Sequence, residues 1–108
     1  MVKEAYCSDD ICKLLKEKGF KEPCTALNQL VIKDGEKPFM KVTHQKAMAW
    51  LREEKNCIIS IWYTGGGFYV ADYYIEDDNE EIHDIIGTYK TYNEAVEKSL
   101  KDVLTNLI

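Results

Sequence analysis

Cys57-Ile58-Ile59-Ser60-Ile61-Trp62-Tyr63, then Thr64-Gly65-Gly66-Gly67, then Phe68-Tyr69-Val70-Ala71-Asp72-Tyr73-Tyr74-Ile75: this run decides the fold. Both arms are rich in β-branched and aromatic residues, which suit a pleated and half-buried surface, and the glycines between them supply the positive backbone angles that tight turns require. The run predicts a β-hairpin. A phosphate cradle built on the three glycines would need a following Lys and Ser/Thr and the start of a helix, whereas Phe68-Tyr69-Val70 opens a strand. Downstream, Glu76-Asp77-Asp78-Asn79-Glu80-Glu81 reads as a solvated acidic turn, and Ile82 to Tyr89 returns as the third strand of a meander, with Gly87 near its end.

Alternation divides each arm into two faces. Tyr69, Ala71, Tyr73 and Ile75 share one, and Phe68, Val70, Asp72 and Tyr74 the other; the neighbouring arm splits into Cys57, Ile59, Ile61, Tyr63 and Ile58, Ser60, Trp62. Neither face is plainly polar. Two arrangements follow. If helices cover one face only, Trp62, Phe68, Val70 and Tyr74 form an exposed aromatic patch of the kind that marks a contact surface. If helices cover both, those residues are core.

Beyond the meander, Thr91-Tyr92-Asn93-Glu94 is a capping box that opens a helix carrying the apolar stripe Val96, Leu100, Val103 and Leu107, with Leu104 beside it. Before the meander, Thr43 caps a helix through roughly Asn56, with Ala47, Trp50, Leu51 and Glu54 at helical steps and Trp50 as its expected anchor. Leu27 to Ile32 and Phe39 to Val42 flank Lys33-Asp34-Gly35-Glu36-Lys37, whose Asp-Gly signals another hairpin, and Pro38 places the second arm at a sheet edge or at a strand start. Ser8 with Asp9 and Asp10 starts a first helix over about 8–18, stopped by Gly19. The order α-β-β-α-β-β-β-α with short connections predicts one α+β domain over residues 1–108, an antiparallel sheet of about five strands packed with three helices.

The composition agrees. Hydrophobic residues make up 45% and charged residues 31% of 108 residues, enough to form one core without disulfide or metal staples. No apolar run reaches membrane-spanning length and the N-terminus lacks the apolar centre of a secretion signal, so the expected location is cytoplasmic, with no membrane partner. Cys7, Cys12, Cys24 and Cys57 are then expected to be free thiols. Their gaps match no usual zinc pattern; a site from Cys7, Cys12, Cys24 and a histidine is the metal alternative, and no cofactor is expected. The six carboxylates among residues 76–84 lack the alternating oxygen ligands and central glycine of a calcium loop.

No motif specifies a reaction. A nucleophilic site would pair a cysteine with His44 or His83, the only histidines, yet none of the cysteines sits on a strand-turn-helix elbow. Both histidines read as ordinary surface residues. The net charge of −5 has the wrong sign for a protein that neutralises phosphates, and it is uneven: residues 1–54 carry 10 basic and 9 acidic side chains, residues 55–108 carry 4 and 10. From Thr43 onward the order of elements is that of double-stranded RNA-binding domains. Such domains present lysines at the start of the last helix, where this chain reads Thr91-Tyr92-Asn93-Glu94-Ala95-Val96-Glu97, with its first lysine there at Lys98, so nucleic acid is not the expected partner.

Leu14-Leu15-Lys16-Glu17-Lys18-Gly19-Phe20, Ala47-Met48-Ala49-Trp50-Leu51-Arg52-Glu53, Thr91-Tyr92-Asn93-Glu94-Ala95 and the Leu107-Ile108 ending resemble small uncharacterised phage and prophage proteins of gut bacteria. The layout is similar to that of phage α-β-α sandwich proteins. The resemblance covers nearly the whole chain and implies a phage origin and helices on both faces of the sheet; it carries no catalytic residue. The functional expectation is an accessory protein that binds another protein or itself, through Trp62, Phe68, Val70 and Tyr74 if that face is open. The alternatives are an acidic nucleic-acid mimic that inhibits a basic host protein, and a small enzyme with a Cys/His site.

Overall fold

The computed structural model describes residues 5–21, 29–32, 34–35, 38–76 and 81–108, without the side chains at 29, 30, 82 and 83. Helix α1 (Asp9–Glu17) begins where Ser8 accepts a hydrogen bond from the Ile11 amide and ends before Gly19, whose φ of +101° only glycine adopts freely. A short antiparallel pair follows, β1 (Gln29–Val31) with β2 (Phe39–Lys41). Thr43 caps α2 (His44–Lys55) by accepting from the Lys46 amide, and Asn56 closes it in the left-handed conformation with φ of +52°.

The meander comprises β3 (Cys57–Tyr63), β4 (Tyr69–Glu76) and β5 (Glu81–Tyr89), in the spatial order β3-β4-β5 with both pairs antiparallel. β4 and β5 slip register once: Ala71 pairs with Gly87 and Asp72 with Ile85, so Ile86 stands unmatched as a bulge. The strand runs on through Gly87, over which the Tyr89 ring lies; a Cβ there would meet Tyr89 Oη at 2.9 Å. Thr91 then accepts from the Glu94 amide to open α3 (Tyr92–Asp102), which runs on as a π-helical turn over Val103–Leu107.

The fold is α+β, three helices with an antiparallel three-stranded sheet. The β1–β2 pair forms a sheet of its own instead of joining the meander in a single sheet. α3 lies at the centre: Ala95, Val96, Ser99, Leu100, Val103 and Leu104 are all fully buried, because one side of the helix meets β3, β4 and β5 while other parts meet α1 and α2. Leu107, expected in that stripe, is only partly buried against the core. α1 packs on β2 and α3 through Ile11, Cys12 and Leu15. On α2 the buried line is His44, Ala47 and Leu51. Trp50 is not the anchor: it sits at the margin, with Phe20 meeting it edge-on at 5.6 Å and the Lys55 ammonium over its ring.

Alternation along β3 and β4 is sharp. Cys57, Ala71 and Tyr73 are buried beneath α2 and α3, with Ile59, Ile61 and Ile75 packed at the margins of the same core. On the other face Ile58, Trp62 and Ile85 are exposed and Val70, Asp72 and Tyr74 half-buried, so the described residues leave it largely open where the phage-protein layout implies a second covering of helices. The second arm of the first hairpin does begin just after Pro38, whereas its first arm and turn lie partly outside the described residues, as do Cys24 and residues 77–80 of the acidic turn. Among the described residues no helix is long and apolar enough to cross a membrane.

Candidate interaction surface

The open face is ordered by strand register. Trp62 stands opposite Val70, and Val70 opposite Thr88; Ser60 opposite Asp72, and Asp72 opposite Ile85; Ile58 opposite Tyr74, and Tyr74 opposite the backbone position of His83. Trp62 and Phe68 are 44% and 46% exposed, whereas Val70 and Tyr74 are half-buried. Alternation places the four on the same side, with Phe68 just before β4. Ile58 and Ile85, at 43% and 62%, extend the surface to both outer strands. Sequence reading missed Ile85 because the bulge at Ile86 changes which β5 side chains share this face, and a bulge leaves no local mark in a run such as Ile85-Ile86-Gly87.

Aromatic side chains gather at the turn end of the meander. Tyr63 and Tyr69, opposite each other on the helix side, have ring centroids 5.2 Å apart, and Tyr92 from the start of α3 meets Tyr69 edge-on at 6.0 Å. The Tyr63 hydroxyl accepts from the Gly67 amide at 3.1 Å, and the Thr64 amide donates to the Phe68 carbonyl at 3.0 Å, closing the turn. Tyr63 and Tyr92 remain exposed, so both sides of this tip offer aromatic surface. Burial pushes the Tyr74 phenol above its ordinary pKa, with the Glu76 and Glu81 carboxylates adding to the effect.

The titratable groups that could carry chemistry collect elsewhere, where the chain before α1 meets the start of α2. The Cys7 amide donates to the Val42 carbonyl at 2.8 Å and the His44 amide to the Ala5 carbonyl at 2.9 Å. Cys7 and Cys12 are 0% and 1% exposed. The Cys12 thiol donates to the Cys7 carbonyl at 3.8 Å; the neighbouring Cys7 thiol, with help from the Val42 backbone and Lys41, draws the Cys12 pKa down to about 7, while the proximity of Cys12, together with burial, drives Cys7 upward. Lys41 Nζ donates to the Cys7 carbonyl at 2.8 Å and pairs with Asp9 at 3.2 Å.

His44 is not a surface residue. It is 5% exposed and its Nε2 lies 2.8 Å from Glu97 Oε1, an oxygen that also accepts from the Ser8 amide at 2.8 Å. Nδ1 of His44 has no hydrogen-bond partner among the described residues. One carboxylate of α3 thus holds the N-cap of α1 and the first residue of α2. The pairing spans 53 residues of sequence and no local pattern announces it. Cys57, at the start of β3, is raised to about 11 by burial alone. Among the described residues no three His, Cys, Asp or Glu side chains stand close enough together to hold a metal ion. Comparison with protein-family models, with curated proteins and with solved structures finds no match to this chain.

Proposed function

We propose that the protein is a small phage-type accessory module of the cytoplasm that works by binding another protein or itself, without catalysis of its own. The observation that carries this reading is the open face of the meander: Ile58, Trp62, Val70, Tyr74 and Ile85 in adjacent register rows, with Phe68 at their end. Large apolar side chains left wholly or partly exposed on neighbouring rows, here around the polar pair Ser60 and Asp72, are what contact surfaces are made of. In this reading β1, β2 and the meander together make about five strands of one binding unit.

The helix-terminal cluster supports the same conclusion. Cys7 and Cys12 are sealed, and His44 is tied to Glu97, so the groups best suited to nucleophilic chemistry serve the packing of helix ends. The first turn of α3 carries Glu94, which repels phosphate, and this weighs against a nucleic-acid partner. The test is a Trp62→Ser, Tyr74→Ser double variant, followed by light scattering and by quantitative recovery of partners from the producing cells. Loss of assembly or of a partner at unchanged melting temperature is the expected result; a variant that assembles and recovers partners like the parent refutes the reading.

A further inference from the structure

The two outer strands of the meander differ in a way that selects a partner. β5 carries Glu81 and Asp84, has a bulge at Ile86, and its Ile85 amide donates to Asp84 Oδ1 at 2.8 Å, all of which spoil an edge for further pairing. β3 has none of these protections: Cys57 to Tyr63 contains no charge, no proline and no bulge over seven residues. Among the described residues no strand pairs with its outer side.

The hydrogen-bond phase of the hairpin fixes which groups that edge presents. Thr64 donates to Phe68, and Glu76 to Asn56, so even-numbered residues from 56 to 64 bond toward β4. The amides and carbonyls of Cys57, Ile59, Ile61 and Tyr63 therefore point outward from the sheet.

We propose that the β3 edge pairs antiparallel with the β3 edge of a second copy of this chain, Ser60 facing Ser60 across the two-fold axis, to make a continuous six-stranded sheet. This rests on the binding reading above and names the partner. The register follows from the pattern: centring on residue 60 sets Ile59 against Ile61 and Cys57 against Tyr63 as hydrogen-bonded pairs, with Ile58 against Trp62 on the open face, and it overlaps all seven residues. Every facing pair is uncharged, which matters for two copies of a chain of net charge −5. The open-face carboxylate next to the axis, Asp72, sits one strand inside β3, so the two copies of it lie about 14 Å apart at ordinary strand spacing, beyond a screening length of about 8 Å at physiological ionic strength. The same pairing joins the two open faces into one, with Trp62 of each copy beside Ile58 of the other.

Two substitutions at the exposed Ser60 test the pairing in the full chain. Ser60→Cys, in a Cys24→Ser background, is treated with a mild thiol oxidant such as glutathione disulfide and compared with the background alone and with Asp72→Cys. Facing cysteines at a non-hydrogen-bonded pair are close enough to bridge, so a disulfide-linked dimer is expected for Ser60→Cys and for neither control. Ser60→Lys sets two like charges opposite each other and is expected to weaken the dimer about tenfold or more in sedimentation equilibrium, with the melting curve unchanged. A parent chain that stays monomeric up to millimolar concentration overturns the inference, as does a dimer that Ser60→Lys leaves intact and Ser60→Cys fails to cross-link. If Ser60→Lys does not fold, the cross-linking result decides. Failure here with a positive Trp62, Tyr74 result would locate binding on the open face with another protein; failure of both would reject the binding reading itself.

Discussion

Where the three helices converge, two thiols, an imidazole, an ammonium and two carboxylates are packed together, Cys7 and Cys12 at 0% and 1% exposure. On the far side of the meander, Ile58, Trp62 and Ile85 stand in solvent. Residue types and roles are exchanged between the two regions. Reactive groups hold helix ends in place, and large apolar groups form surface. Most polar groups of the first region find a partner there, His44 Nδ1 being the exception among the described residues: Glu97 accepts from Ser8 and pairs with His44 Nε2, and Lys41 bonds the Cys7 carbonyl and Asp9. In the second region Ile58, Trp62 and Ile85 keep 43%, 44% and 62% of their surface exposed, the kind of surface on which the proposed binding rests.

The contrast can be broken most severely from the buried side. Leu100→Ala empties a fully buried site beneath the sheet and is expected to cost about 2–5 kcal/mol in chemical denaturation. Glu97→Ala removes both of its hydrogen bonds and leaves His44 buried beside a lost partner; a loss of about 2–4 kcal/mol is expected, while Glu97→Asp, too short to reach both donors, recovers only part. Next comes pH. The folded state holds the Cys57 thiol at about 11 against an ordinary 9.0, so its neutral form is favoured by folding. That contribution is fully present below pH 9 and is lost as pH rises through 11, amounting to about 3 kcal/mol. Cys57→Val should therefore flatten the alkaline fall of stability measured between pH 8 and 11 relative to the parent. The smallest effect belongs to the open side: Ile58→Ala is expected to shift stability by no more than about 0.5 kcal/mol. A cost near that of Leu100→Ala would show that Ile58 is covered and would erase the contrast.

Local features of this fold could be read from the chain, since each depends on a few neighbouring residues. The hydroxyls of Ser8, Thr43 and Thr91 all cap the helices they precede, and the Cys57–Ile75 hairpin closes around Gly65 and Gly67, both at positive φ. The choice between the two faces of the sheet could not be read. Ile59 and Ile58 are the same residue type, and only the placement of α2 and α3 separates them. His44 and Trp50 exchanged expected roles for a related reason. Apolar spacing favoured Trp50, while the burial of His44 depends on Glu97, which arrives from another helix. The charge-free edge of β3 was in plain view in the sequence, but its meaning required knowing that β3, and not β4, lies outermost.

Glu97 also has a temporal consequence. The Ser8 amide is satisfied by a carboxylate 89 residues downstream, and the buried face of α1 rests on α3. During synthesis, which delivers the N-terminal side first, α1 has neither its anchor nor its floor until α3 has been made. The hairpin of β3 and β4, closed by the five residues from Thr64 to Phe68, can form long before then. The uncharged edge is thus on display while the helix that completes the core is still being made.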